Sequence, residues 1–223
     1  MKKIVSLLLV MAMCVSLCGC GADKKAFNTS KEAYDKVAIA YEITENFGSD
    51  LYEAWRLGIY EDEEMLDNGI ECLASELSLS EDELRDGVAY VFAVNMAGED
   101  WTEVSEEDKE EFRKNADYAF MLMEEDLFSF CVMVVTGAYN ANGKVAEAQT
   151  ALDEAKTLMK ELSEEYSDYE HYPNLKGYYT TTSSFFDFCQ NPSGSFEQVK
   201  NTINDYKNEA RDYISDLDYI FEE

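Results

Sequence analysis

Forty-seven carboxylates and a single histidine set the terms for any chemistry this 223-residue chain can do. Paired acids can serve as general acid and base on a glycoside, and clustered acid oxygens can hold calcium. With so many acids, however, close pairs arise by chance and none is specific. The densest run, Asp62 to Glu71, departs from the EF-hand pattern, because Leu66 stands where an oxygen ligand is needed and Gly69 is misplaced. Most of these charges read as solvated helix faces, and the sequence leaves the metal question open. His171 lies beside Tyr169, Tyr172 and Pro173. It could assist a cysteine nucleophile, but a turn or capping role is the simpler reading. No Gly-rich phosphate loop, Gly-x-Ser-x-Gly elbow or Cys-x-x-Cys pair is present. Tyr178, Tyr179, Phe185, Phe186 and Phe188 could line a ligand cleft, although aromatic stripes at helical spacing more often fill a core. The reading is of a protein that binds, with no catalytic residue and no cofactor. Tyrosine in place of phenylalanine at many seam positions suits half-buried seams and one open groove.

Six cysteines remain to be placed, and the N-terminus accounts for three. Lys2 and Lys3 precede an apolar run from Ile4 to Leu17 broken only by serines. As a helix the run is about 21 Å long, short of the roughly 30 Å of a hydrocarbon core, so it reads as the apolar region of an export signal. It ends in Leu17-Cys18-Gly19-Cys20, which resembles the lipobox of bacterial lipoproteins, with Cys18 where Ala or Ser is usual. The resemblance implies that the Cys20 thiol receives a diacylglyceryl group and that a signal peptidase cuts just before it. Met13 and Leu17 make Cys14 and Cys18 poorer candidates. It further implies an extracytoplasmic protein anchored to a bacterial membrane through lipid on Cys20, the cell membrane if the source is Gram-positive. Cys72, Cys131 and Cys189 are then left, an odd number that allows one disulfide at most. Their apolar neighbours favour buried free thiols.

These groups have to be positioned by helices. No segment has strand-type alternation between turn signals, and helical spacing recurs throughout. Thr29 or Ser30 is expected to cap a first helix through Ile59, with Gly48-Ser49 as a potential kink. The acidic run and Asp67-Asn68-Gly69 predict a loop, followed by a short helix from Ile70 to Leu77. Ser80 and Glu83 form a capping box for a helix through Val94. Gly98 to Val104 predicts a second loop, and Ser105 begins a long helix to about Tyr139. Its apolar stretch Leu127 to Val135 predicts a central position covered on all sides. Val145, Ala148, Leu152, Ala155, Met159, Leu162, Tyr166 and Tyr169 form one heptad stripe. A second stripe runs through Phe196, Val199, Ile203, Tyr206, Ala210, Tyr213, Leu217 and Ile220, opened by a Ser195 and Gln198 box. Leu175 to Cys189 predicts one more helix between them.

The expected fold is an all-α, elongated antiparallel bundle with coiled-coil-like seams. Residues 1–19 form the signal, 20–29 a lipidated N-terminus and short tether, and 30–223 the bundle, with a potential subdivision near 98–104. The formal net charge of −29, or −31 after the signal is removed, excludes nucleic acid as a natural partner. An envelope protein or a wall component is the expected partner. The alternative is a small-molecule or divalent-cation binding protein.

Overall fold

The computed structural model describes the backbone of residues 2–60 and 62–221 and the side chains of 24–60 and 65–221. Cys20, the signal segment and the side chains of the acidic run 61–64 lie outside the described side chains. The fold is an all-α bundle, with no strand among the described residues. Its helices are α1 (Lys2–Tyr60), α2 (Asp62–Glu76), α3 (Glu81–Tyr90), α4 (Glu106–Lys114), α5 (Ala116–Leu122), α6 (Leu127–Ala141), α7 (Lys144–Glu165), α8 (Tyr172–Gln190) and α9 (Phe196–Phe221). A wider π-helical turn, Val91–Met96, continues α3. Among the described residues no helix is long and apolar enough to cross a membrane.

The centre belongs to α1. Val37, Ala40, Tyr41, Phe47, Leu51, Ala54 and Trp55 are all buried, and α2, α6, α7, α8 and α9 all pack against this helix. Small residues at 33, 40, 48 and 54 let several neighbours approach at once. Gly58 sits against Phe128, Phe47 stacks on Tyr139 at 4.3 Å, Lys36 pairs with Glu154, and Lys25 pairs with Glu165. Moving down α1 therefore means moving up α6 and then α7. The Asn142-Gly143 turn, with Gly143 at φ +82°, redirects the chain without reversing it. The helix α9 also runs antiparallel to α1, from Lys200 beside Tyr52 to the Phe221 carbonyl bonded by Lys31.

Both heptad stripes occupy the seams. In α9, Val199, Ile203, Ala210 and Leu217 are buried and the four intervening stripe residues are half-buried. Both capping boxes are present: Ser80 N–H donates to Glu83 at 2.9 Å, and Ser195 N–H donates to Gln198 at 2.8 Å. Residues before Gly98 share one buried core with those after it.

Six expectations need correction. Thr29 and Ser30 do not begin a helix. They are buried inside α1, and Ala26 and Phe27 before them already pack, Phe27 against the Phe221 ring at 5.6 Å. Gly48-Ser49 does not interrupt α1; a Cβ at Gly48 would fall 2.6 Å from the Phe185 ring, so the glycine admits α8. In place of the loop expected over 61–69, α2 runs from Asp62 onward and Asn68 alone has non-helical angles within it; residue 61 lies outside the described residues. The helix from Ser105 breaks at Asn115 and again across Met123–Asp126. Three successive acids there would end a helix against its dipole, whereas they precede α6 favourably. The same effect ends α7 at Glu165, short of Tyr169, amid Glu161, Glu164, Glu165 and Asp168.

The last correction concerns α6. Leu127, Phe130, Cys131, Val134 and Val135 are buried as expected, but Phe128 is 38% exposed and Val132 and Met133 are only half-buried. Phe128, Val132 and Thr136 recur every four residues and so share one face. Because α1 holds the centre, that face of α6 is covered only in part among the described residues, by Trp55 and Gly58 against Phe128.

Candidate functional site

The partly covered face of α6 floors a groove of about 410 Å³. Phe128, Ser129, Val132, Met133 and Thr136 supply the floor. Trp55 closes it from α1, Asn95 from the π-helical turn, and Gln190 and Pro192 from the end of α8. Among the described residues no ionisable side chain lines it, in a chain whose net charge is −29. Trp55 is only 8% exposed and stacks on Phe128 with ring centres 5.8 Å apart. The Thr136 hydroxyl is committed as a donor to the Val132 carbonyl at 2.9 Å. The side chains of Asn95, Ser129 and Gln190 make no hydrogen bond among the described residues. Mixed apolar and neutral polar lining of this size is characteristic of small-ligand sites, and π-helical turns recur at functional positions.

The rim at Asn95 is set by interactions deeper in the fold. Asp50, 4% exposed on α1, accepts from the Ser78 N–H at 2.9 Å, the Ser78 hydroxyl at 2.6 Å and the Tyr139 hydroxyl at 2.9 Å. This fixes the α2–α3 corner against α1 and α6. Burial raises Glu83, but the Ser80 N–H and hydroxyl, Asn142 and Lys144 prevail and hold its carboxyl down to about 2. It thereby ties the start of α3 to the α6–α7 turn. Further along, α3 crosses α6 at Gly87 and Gly137, where a Cβ on Gly137 would lie 2.6 Å from the Gly87 carbonyl oxygen. The turn bearing Asn95 is held by all three.

Two other clusters invite chemistry and do not support it. Lys207 Nζ donates to Ser49 Oγ at 2.6 Å beside a cavity of about 220 Å³, a pairing seen in Ser–Lys nucleophiles. Burial shifts Lys207 below the ordinary lysine value, with Glu45 opposing. However, the Ser49 proton goes to the Glu45 carbonyl at 2.7 Å, and Ser49 lies mid-helix, where neighbouring N–H groups are engaged. The pair clamps α1 to α9, and the α1 backbone N–H groups beside Ser49 are taken up in the helix, leaving none to hold an oxyanion. The larger cleft, about 490 Å³ between α3 and α4, contains Arg85, Arg113 and Lys114. Each meets a carboxylate: Asp117 at 3.1 Å, Asp86 at 2.5 Å and Glu110 at 3.4 Å, respectively.

The residues singled out from sequence are dispersed. Cys131 and Cys189 are buried free thiols and Cys72 is a half-buried one. Burial pushes the Cys131 thiol up to about 12, with Cys72 nearby adding to it, and raises Cys189 as well. Neither is a thiolate nucleophile at neutral pH. His171 occupies the turn before α8, makes no capping bond, and meets Tyr169 edge-on at 5.3 Å. Tyr178, Phe185 and Phe186 are core, with Tyr179 and Phe188 at its edge. Among the described residues no three of His, Cys, Asp and Glu are grouped to hold a metal ion. The open groove expected at a tyrosine seam lies elsewhere and contains no tyrosine. The available sequence signal was α6 itself, more apolar than its neighbours can cover. No protein-family model matches the chain, and no curated protein or solved structure is significantly similar to it.

Proposed function

We propose that this chain is a lipid-anchored binding module of the bacterial cell envelope, held outside the cytoplasm by lipid on Cys20 and acting without catalytic turnover. Its partner is an envelope protein or a wall component. The observation that carries the reading is the neutral groove and its distance from the anchor. Trp55 lies 29 residues along α1 from Ala26, about 44 Å of helix. Ala26 is already buried, and Lys25 is paired with Glu161 and Glu165. The tether between lipid and folded bundle is therefore only a few residues long, and the groove faces away from the membrane. The net acidic surface of the chain repels anionic lipid and keeps the bundle off the membrane plane.

The test is made in cells. Wild type should incorporate labelled fatty acid, fractionate with membranes, and be cut by protease added outside. Cys20→Ala should lose the label and the membrane association. A photo-cross-linking residue at Ser129 should form a discrete adduct that the same residue at exposed Asp212 does not. Normal labelling of Cys20→Ala, or equal adducts at both positions, would overturn the reading.

A further inference from the structure

Taking the chain as a binding module, we propose that the groove between α1, α6 and the end of α8 takes a short uncharged peptide segment of a partner protein. One apolar side chain would rest on Val132 and Met133, and Asn95 and Gln190 would bind its backbone.

The described lining, which carries no ionisable side chain, decides the charge. A charged group entering the groove would lose water and gain no counter-charge. Anions are further repelled by the acidic surroundings, and a cation gains more on the acidic outer faces. The polar groups decide the functional class. A side-chain amide presents donors beside an acceptor, the pattern that a peptide group answers with its own C=O and N–H. Asn95 and Gln190 approach from different elements, have no partner among the described residues, and stand with the unpartnered Ser129 hydroxyl. Thr136, its proton committed to Val132, can only accept a further bond, which suits a peptide N–H.

The apolar surface separates a peptide from a sugar. Carbohydrate rings bind by lying on an open aromatic face. Here the Trp55 ring is 8% exposed and already stacked against Phe128, so no indole face is available. Val132 and Met133 offer methyl and thioether surface instead, and methionine adapts to side chains of different shape. An aliphatic or thioether side chain fits that floor, and a pyranose does not.

The chain contains two tryptophans, which supply a selective probe. Trp55 lines the groove, whereas Trp101 lies in the loop after the π-helical turn, under Lys109. With the full chain in detergent micelles and 15N-labelled indoles, acetyl-Ala-X-Ala-amide peptides are titrated with X as Leu, Met, Phe, Asp or Lys. At least one apolar peptide should shift the Trp55 indole signal saturably at millimolar concentration and leave Trp101 in place. The Asp and Lys peptides should bind about tenfold more weakly or worse. Gln190→Arg, and separately Asn95→Arg, should each abolish the response, with the remaining spectrum unchanged as a check on folding. If no apolar peptide moves Trp55, if charged peptides bind equally well, or if cellobiose saturates the site instead, the proposal is wrong. Those outcomes leave the anchoring and cross-linking results untouched, so failure of the ligand class is distinct from failure of the binding-module reading.

Discussion

Replacing Asp50 with alanine should be one of the most damaging single changes available in this fold. The carboxylate is 4% exposed and accepts three hydrogen bonds, two from Ser78 and one from Tyr139, whose side chain is fully buried. In Asp50→Ala the Tyr139 hydroxyl loses its acceptor inside the core, and exposed Ser78 loses both of its bonds to α1. A buried donor left unmatched costs about 1–3 kcal/mol, and a hydrogen bond to a charged group contributes about 1.5–3 kcal/mol. The expected loss is therefore about 3–5 kcal/mol, a large part of the roughly 5–15 kcal/mol that stabilises a domain. Tyr139→Phe removes one donor and leaves the carboxylate with Ser78, so it should cost only about 1–2 kcal/mol. Because the two residues share one bond, the double variant should fall short of additivity by about 1 kcal/mol. Urea unfolding followed by far-ultraviolet circular dichroism measures all three. If Asp50→Ala costs less than about 1 kcal/mol, or the two losses simply add, the α2–α3 corner is not held as described.

The Glu83 carboxyl, depressed to about 2 in the fold, contributes stability that is complete above the ordinary glutamate value of 4.5 and is lost as pH falls toward about 2. Glu83→Gln should consequently cost about 1–2 kcal/mol near neutrality and almost nothing at the acid end, and a gap that ignores pH would contradict this. Gly137→Ala should destabilise by about 1–3 kcal/mol in thermal unfolding despite alanine's better helix propensity, because the new Cβ meets the Gly87 carbonyl at 2.6 Å. A neutral or stabilising Gly137→Ala would mean that α3 and α6 are further apart.

What the sequence reveals and what it conceals follow one physical division. The α7 and α9 stripes and the Ser80 and Ser195 boxes are legible because their partners lie three or four residues away, so spacing alone specifies them. Thr29 and Ser30 mislead because cap preference is a local effect of about 1 kcal/mol, outweighed where Ala26, Ser30 and Ala33 are buried against neighbouring helices. The breaks near Asn115 and Asp126 are equally hard to see, since they reconcile acids at helix ends with apolar residues on either side. Asp50 lies 28 residues from Ser78 and 89 from Tyr139, separations with no periodic signature. The groove is the extreme case. It is defined by where α1 and α8 stop covering α6, which no property of Phe128 or Val132 alone encodes.

The central position of α1 also governs when this chain can fold. The helix that α2, α6, α7, α8 and α9 cover precedes all of them in the chain, and its partners follow at a distance. Lys25 waits 140 residues for Glu165, Tyr34 waits 184 for Asp218, and Lys31 waits 190 for the Phe221 carbonyl. Contacts of such sequence separation form late, because the loop they close must first be ordered. The first half, emerging alone, would expose its apolar faces to chaperones and to aggregation. The delay has a consequence for synthesis: Tyr34 and Lys31 lack their α9 partners until residues 218–221 have been made.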